Sequence, residues 1–246
     1  MQLLLSLFLI TAPGVDEKIP TAEELMRLMD QNLTFETRTT TVRMKVEGGR
    51  RTREFEMVSY GRGEEDAAIE YRKPRREAGT RMLKLGDELW IYMPSIDRVQ
   101  KISGHMLRQG MMGSDLSYED MMASRELEKR YKAKVTGGEK VDGKDCWRVE
   151  LNAVDDSVSY PKRVTWVDKQ TYIPIKQELY ALSGMLLKTW TMSDAKKFGE
   201  RLFPTRMVIQ DHVKKDSKTT LEFVNMEFGI KLEDEVFSMR WLERRR

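Results

Sequence analysis

A chain of 246 residues with 34% charged side chains and a mean hydropathy of −0.58 has the composition of a water-soluble globular protein, with length enough for a sizeable core. The net charge is only +3, and the basic residues are spread evenly among acidic ones, with no stripe of lysine and arginine interleaved with aromatics. That excludes a nucleic-acid partner. The single cysteine, Cys146, excludes an internal disulfide and a cysteine-based metal cluster, and beside Trp147 it reads as a small buried residue.

The chain opens Met1-Gln2-Leu3-Leu4-Leu5-Ser6-Leu7-Phe8-Leu9-Ile10, an apolar run too short to span a bilayer but of the length of a signal-peptide core. Ala12 and Gly14 supply small residues for cleavage after Gly14, so residues 1–14 read as an export signal and 15–246 as one mature domain. Export without disulfides points to a periplasm-like compartment. The absence of a cysteine after the apolar run argues against a lipid anchor on the chain itself.

Thr21 and Glu24 then have the spacing of a capping box, and Leu25, Leu28 and Met29 fall on one face of a short helix ending near Asn32. From Thr39 the period becomes two. Val42, Met44 and Val46 alternate with Arg43, Lys45 and Glu47, and after the Gly48-Gly49 turn Phe55 and Met57 alternate with Glu54 and Glu56. Ala67 to Tyr71 is a third strand. Thr80 to Leu85 and Glu88 to Met93 form a hairpin about Gly86-Asp87, and Val99 to Ile102 is a short strand.

The second half returns to sheet. Lys132 to Thr136, a Gly137-Gly138 turn and Cys146 to Leu151 make one pair, and Arg163 to Val167 with Ile173 to Ala181 another. Met185 to Met192, Thr205 to His212 and Thr219 to Phe228 are the last long strands, and Asp234 to Phe237 is one turn of helix. Roughly ten or eleven strands in series predict a mainly β fold with a few helices, a single antiparallel meander either open and curved or closed.

Between the halves lies Gly104 to Met122, with five methionines in nineteen residues. Its Met106, Leu107, Met111, Met112, Leu116, Met121 and Met122 form a flexible apolar surface, and Gly104, Gly110 and Gly113 loosen its backbone. The spacing predicts a mobile lid, with Ser117 and Asp120 as a cap pair for a helix running to Arg130. The apolar strand face of Val42, Met44, Val46, Phe55, Met57, Leu89, Ile91 and Met93 is the cavity such a lid would close.

Catalytic signals are poor. His105 and His212 lie far apart and in no metal-binding spacing, and there is neither a nucleophile elbow nor a phosphate loop. Thioethers select copper(I), but adjacent methionine pairs point apart in regular structure and do not converge on one ion. No cofactor or metal site is expected, and the residues favour binding of a greasy ligand over catalysis.

Ordered pieces of the chain resemble the LolA-like family of bacterial outer-membrane lipoprotein-sorting proteins. They are Thr21-Ala22-Glu23-Glu24-Leu25, Leu89-Trp90-Ile91-Tyr92-Met93-Pro94, Gly113 to Asp120, Val141 to Lys144, Trp166 to Lys169, Gly184 to Thr189 and Asp234 to Phe237. The resemblance implies a half-open antiparallel β-barrel with helices over its concave face. It implies a periplasmic, non-enzymatic carrier or chaperone that binds lipoproteins or other lipids for sorting towards the outer membrane, with transient contact at a membrane surface. As an alternative it implies an accessory or sensor domain working beside an exporter of the resistance-nodulation-division type.

Overall fold

The computed structural model describes residues 19–49, 51–122, 130–155 and 158–244; the proposed export signal and the end of the expected 117–130 helix therefore lie largely outside the described residues. A first helix, α1 (Ala22–Leu33), starts where the capping pattern places it, with the Thr21 hydroxyl accepting the Glu24 N–H at 3.1 Å. Thirteen strands follow: β1 (Thr37–Gly48), β2 (Arg51–Arg62), β3 (Asp66–Lys73), β4 (Arg81–Leu85), β5 (Glu88–Met93) and β6 (Arg98–Ile102) precede the methionine-rich segment. Then come α2 (Tyr118–Met122), β7 (Tyr131–Val141), β8 (Lys144–Ala153), β9 (Lys162–Asp168), β10 (Pro174–Tyr180), β11 (Leu186–Phe198), β12 (Arg201–Asp211), β13 (Ser217–Phe228) and the terminal helix α3 (Met239–Glu243).

All thirteen strands belong to one antiparallel sheet in the order β6-β5-β4-β3-β2-β1-β13-β12-β11-β10-β9-β8-β7. This corrects the expectation of ten or eleven strands in one uninterrupted meander. Two meanders run outward from a central pair, in which Val42 stands opposite Phe223 and Gly48 opposite Ser217. The circuit is broken at one place, between β6 and β7, and the methionine-rich segment is the chain that joins those two edges. Gly137 and Gly138 also differ from expectation. They lie inside β7 at a register shift against β8, and the reversal falls instead at Asp142-Gly143, because a bulge absorbs glycine within a strand as readily as a turn does.

The sheet curls. Helix α1 packs against both β7 and β12, which stand five strands apart, so it lies within the concave side. There Leu25 and Met26 bury against Tyr131, Trp147, Val149, Leu151 and Val167. On the opposite surface of β3–β5, Phe237, Trp241 and Leu242 of the C-terminal turn and α3 cover Ala68, Leu83 and Tyr92. Buried Arg81 donates to the carbonyls of Leu242 at 3.2 Å and Arg244 at 2.5 Å, satisfying the last carbonyls of α3. Cys146 is fully buried, as its surroundings predict. No helix among the described residues is long and apolar enough to cross a membrane.

Antiparallel pairing sends alternate turns to the same end of the sheet. The β1–β2, β3–β4, β5–β6, β8–β9, β10–β11 and β12–β13 connections share one end and the other turns share the opposite one, while the β6–β7 connection runs from the second end back to the first.

Candidate functional site

The eight side chains of the alternating pattern come together on the concave face. Val42, Met44, Val46, Phe55, Met57, Leu89 and Ile91 are buried in one cluster, and Met93 packs half-buried against it. The same cluster takes in Tyr71, Met82, Ile209 and Leu221 from other strands. Its upper surface is the methionine-rich segment: Met111 is buried, and Met106, Leu107, Met112, Leu116, Met121 and Met122 all pack on the sheet. The segment is a strap across the gap left between β6 and β7, and every apolar residue singled out in it faces the strands singled out beneath it. The face is filled by these side chains.

The strap's polar attachments gather in its second half. Asp115, almost fully buried, accepts hydrogen bonds from the hydroxyls of Ser217 at 2.5 Å and Thr219 at 2.8 Å on β13, and its own N–H donates to the Thr219 hydroxyl at 2.9 Å. Lys214 donates to the Ser114 carbonyl at 2.9 Å. Arg53 of β2 donates to the carbonyls of Met112 and Gly113 at 2.9 and 3.0 Å, and it sits so close that a Cβ on Gly113, whose φ is +70°, would meet its guanidinium at 2.9 Å. The chain folds back so tightly at Gly110 that a Cβ there would stand 2.1 Å from the Ser114 carbonyl oxygen. Glycine is required at both positions.

Helix α2 carries the other anchor. Ser117 and Asp120 form the expected cap pair, the Asp120 carboxylate taking the Ser117 N–H at 2.8 Å and the Ser117 hydroxyl taking the Asp120 N–H at 3.1 Å. Asp120 also pairs with Lys188 of β11 at 2.5 Å and accepts from the Tyr160 hydroxyl at 2.8 Å. Burial, with the Asp120 carboxylate next to it, pushes the Tyr160 phenol well above its ordinary range. By contrast the first half, the 3-10 turn Gly104–Arg108, buries no residue, and its one side-chain hydrogen bond to the sheet among the described residues is from Gln100 to the Met106 sulfur at 3.5 Å. The strap is therefore pinned from Met112 to Asp120 and lightly held before that.

None of these anchors, Arg53, Lys188, Lys214, Ser217 and Thr219, is legible from the sequence, because each meets the strap across a long stretch of chain. Two donors beneath it also stand out. The Tyr71 hydroxyl and the Trp190 indole N–H are buried with no hydrogen-bond partner among the described residues. Elsewhere, a groove of about 910 Å³ runs over β1, β2 and β13, but it is walled by charges that pair with each other, Glu56 with Lys73 at 3.1 Å and Arg206 with Glu222 at 3.2 Å. A cleft of about 750 Å³ opens at the end of the sheet near the anchors, between Arg108 to Gly110 of the strap and the turns bearing Tyr160, Leu182 and Val213.

An open antiparallel sheet curled around a helix and an apolar strap, with no cluster of metal-binding side chains among the described residues, defines a half-barrel of the LolA-like class. The comparisons agree. A DUF1329 family protein from Desulfovibrio piger has 25% identity, covering 89% of this chain and 96% of that one, with a TM-score of 0.82. A putative outer membrane lipoprotein-sorting protein domain from Vibrio parahaemolyticus has 25% identity over 91% of this chain and 100% of that one, with a TM-score of 0.80. A LolA superfamily protein from Nitrosomonas europaea matches the same shares at 25% identity with a TM-score of 0.75. No curated protein matches the chain significantly. The chain belongs to the family described as "Uncharacterized protein", whose sequence profile matches residues 63–244, and through its structural relatives to the LolA-like lipoprotein-sorting superfamily.

Proposed function

We propose that this protein is a non-enzymatic periplasmic carrier that binds the acyl chains of lipoproteins or other lipids between the concave sheet and the methionine strap. The observation that carries the reading is how the apolar face is closed. The strap covers it with flexible side chains, and its polar attachments lie along one margin. Uncovering a methionine costs about 1.5–3 kcal/mol, while each methylene of an acyl chain buried in its place returns about 0.8 kcal/mol. A long chain can thus replace several methionines at little net cost, and the unbranched thioether side chains repack around whatever enters. The partnerless Tyr71 and Trp190 donors suit the carbonyl of an ester or amide, since a buried donor left unpaired costs about 1–3 kcal/mol.

Release needs only a partner that binds the opened form better than the closed one. The test is titration of delipidated protein with a fluorescent fatty acid, with native mass spectrometry of protein purified from its own envelope. Binding at one site that is lost in Met44→Asp and Phe55→Asp, while circular dichroism stays that of the folded sheet, is the expected result. A folded wild-type protein that takes up no acyl probe, and carries no lipid when purified, would sink the proposal.

A further inference from the structure

The six exposed large apolar side chains among the described residues are Ile19, Ile96, Val154, Leu182, Met185 and Val213. Five of these, all but Ile19, stand on turns at one end of the sheet: Ile96 between β5 and β6, Val154 after β8, Leu182 and Met185 between β10 and β11, and Val213 between β12 and β13. Leu182 is 82% exposed and Val213 66%, as far into solvent as side chains of this kind go. Single exposed apolar residues are ordinary. Their collection on the tips of one rim is not, because random scatter would have placed some on the turns at the other end.

Charge divides along the same axis. The turns of the apolar-tipped end carry exposed Arg51, Arg75, Arg76, Lys214 and Lys215 against exposed Asp97, Asp155 and Asp216, and Asp211 is spent accepting the N–H groups of Val213 and Lys214 within its own turn. The turns of the opposite end carry exposed Glu65, Asp87, Asp142, Glu200 and Asp234 against exposed Lys231. The chain is thus polar in charge along the strands although its net charge is small. Separate apolar tips on the end with the excess of lysine and arginine match the boundary of an anionic bilayer, where apolar groups enter between headgroups and the cations stay at the phosphates. A folded protein partner would instead be met by one contiguous apolar patch.

We propose that this end of the sheet docks onto an anionic lipid surface, with Leu182, Met185 and Val213 entering the headgroup layer and Lys215 on its phosphates. Docked this way, the cleft beside Leu182 and Val213 faces the bilayer, and the lightly held half of the strap borders it through Arg108 and Gln109. The inference names the membrane partner for the carrier reading above but does not need acyl uptake to hold.

The experiment is co-sedimentation of the purified protein with vesicles of phosphatidylcholine alone or containing phosphatidylglycerol. Wild type should bind the phosphatidylglycerol vesicles and lose binding as salt is raised, since exposed charges are screened within about 8 Å at physiological ionic strength. Leu182→Asp with Val213→Asp should lower binding at least about tenfold, and Lys215→Ala about fivefold. Asp142→Lys and Asp87→Lys at the far end should leave it unchanged or slightly stronger. These turn residues are exposed, so the variants fold. Equal binding of the tip variants, or no binding by wild type to either vesicle, overturns the docking surface. Capture of a protein from envelope extract that depends on Leu182 and Val213, without vesicle binding, overturns it in favour of a protein partner. Vesicle binding with no uptake of a fluorescent fatty acid upholds it while sinking the carrier reading.

Discussion

The carboxylate of Asp115 and the hydroxyl of Thr219 meet at 2.8 Å across 104 residues of chain, fixing the strap to the strand at the centre of the sheet. The bond is buried, and Ser217 and Lys214 converge on the same carboxylate. Asp115→Ala leaves those hydroxyls without their acceptor, at a cost of about 1–3 kcal/mol. Hydrogen exchange should then quicken over residues 110–120 more than over β1 and β2. Equal acceleration everywhere would show that the strap has no stability separate from the core.

Asp120 and Lys188 should respond unequally to removal. Asp120 keeps the Ser117 N–H and the Tyr160 hydroxyl when Lys188 is replaced by Met, whereas Lys188 loses its acid partner when Asp120 becomes Ala. Chemical denaturation should show Asp120→Ala destabilised by about 3–5 kcal/mol and Lys188→Met by distinctly less, with the double variant Asp120→Leu and Lys188→Met recovering part of the loss. Similar costs for the two single variants would contradict this account.

Alkaline unfolding should be set by buried tyrosines. Burial holds the phenols of Tyr71, Tyr118 and Tyr160 above the ordinary value of 10.0, and burial with the Glu178 hydrogen bond pushes Tyr180 up to about 12. A raised pKa in the fold means stability that is complete below pH 10 and is lost as pH rises through the folded values. Absorbance titration should show the phenols of Tyr71, Tyr118 and Tyr160 ionising only together with loss of the near-ultraviolet dichroism. Ionisation of all eight tyrosines in one step near pH 10 would exclude it.

Mild peroxide should separate the methionines by depth. Met106 and Met112 are partly open, whereas Met44, Met82 and Met111 are at most 2% exposed. Peptide mapping should find sulfoxide at the former first, with affinity for acyl probes falling in step, because the sulfoxide makes the strap's underside polar. Oxidation of Met106 and Met112 that leaves binding intact would remove the strap from the site.

The concave face could be read from the sequence because period-two alternation in Val42, Met44 and Val46 admits one burial pattern when the neighbours are charged. The cap pair of Ser117 and Asp120 was legible for the same local reason. The pairing of β1 with β13 was not, since Val42 and Phe223 carry no mark of each other, and nor were the anchors that hold the strap. Gly137 misled because glycine signals a turn and a bulge alike. The docking rim lay hidden in a different way: Ile96, Leu182 and Val213 are unremarkable singly and become a pattern only once alternate turns are brought to one end.

The central position of β13 also bears on how the chain comes to be folded. The two meanders, β1 to β6 and β7 to β13, are built of neighbours in sequence and can form early from local hairpins. The strand that joins them, Ser217–Phe228, comes last from the ribosome and must find Thr37–Gly48, one of the first. Until it does, β1 and β13 present bare hydrogen-bonding edges. That interval is when a chaperone is needed, and a chain ending before Ser217 would leave β1 and β12 bare and prone to aggregate through those edges.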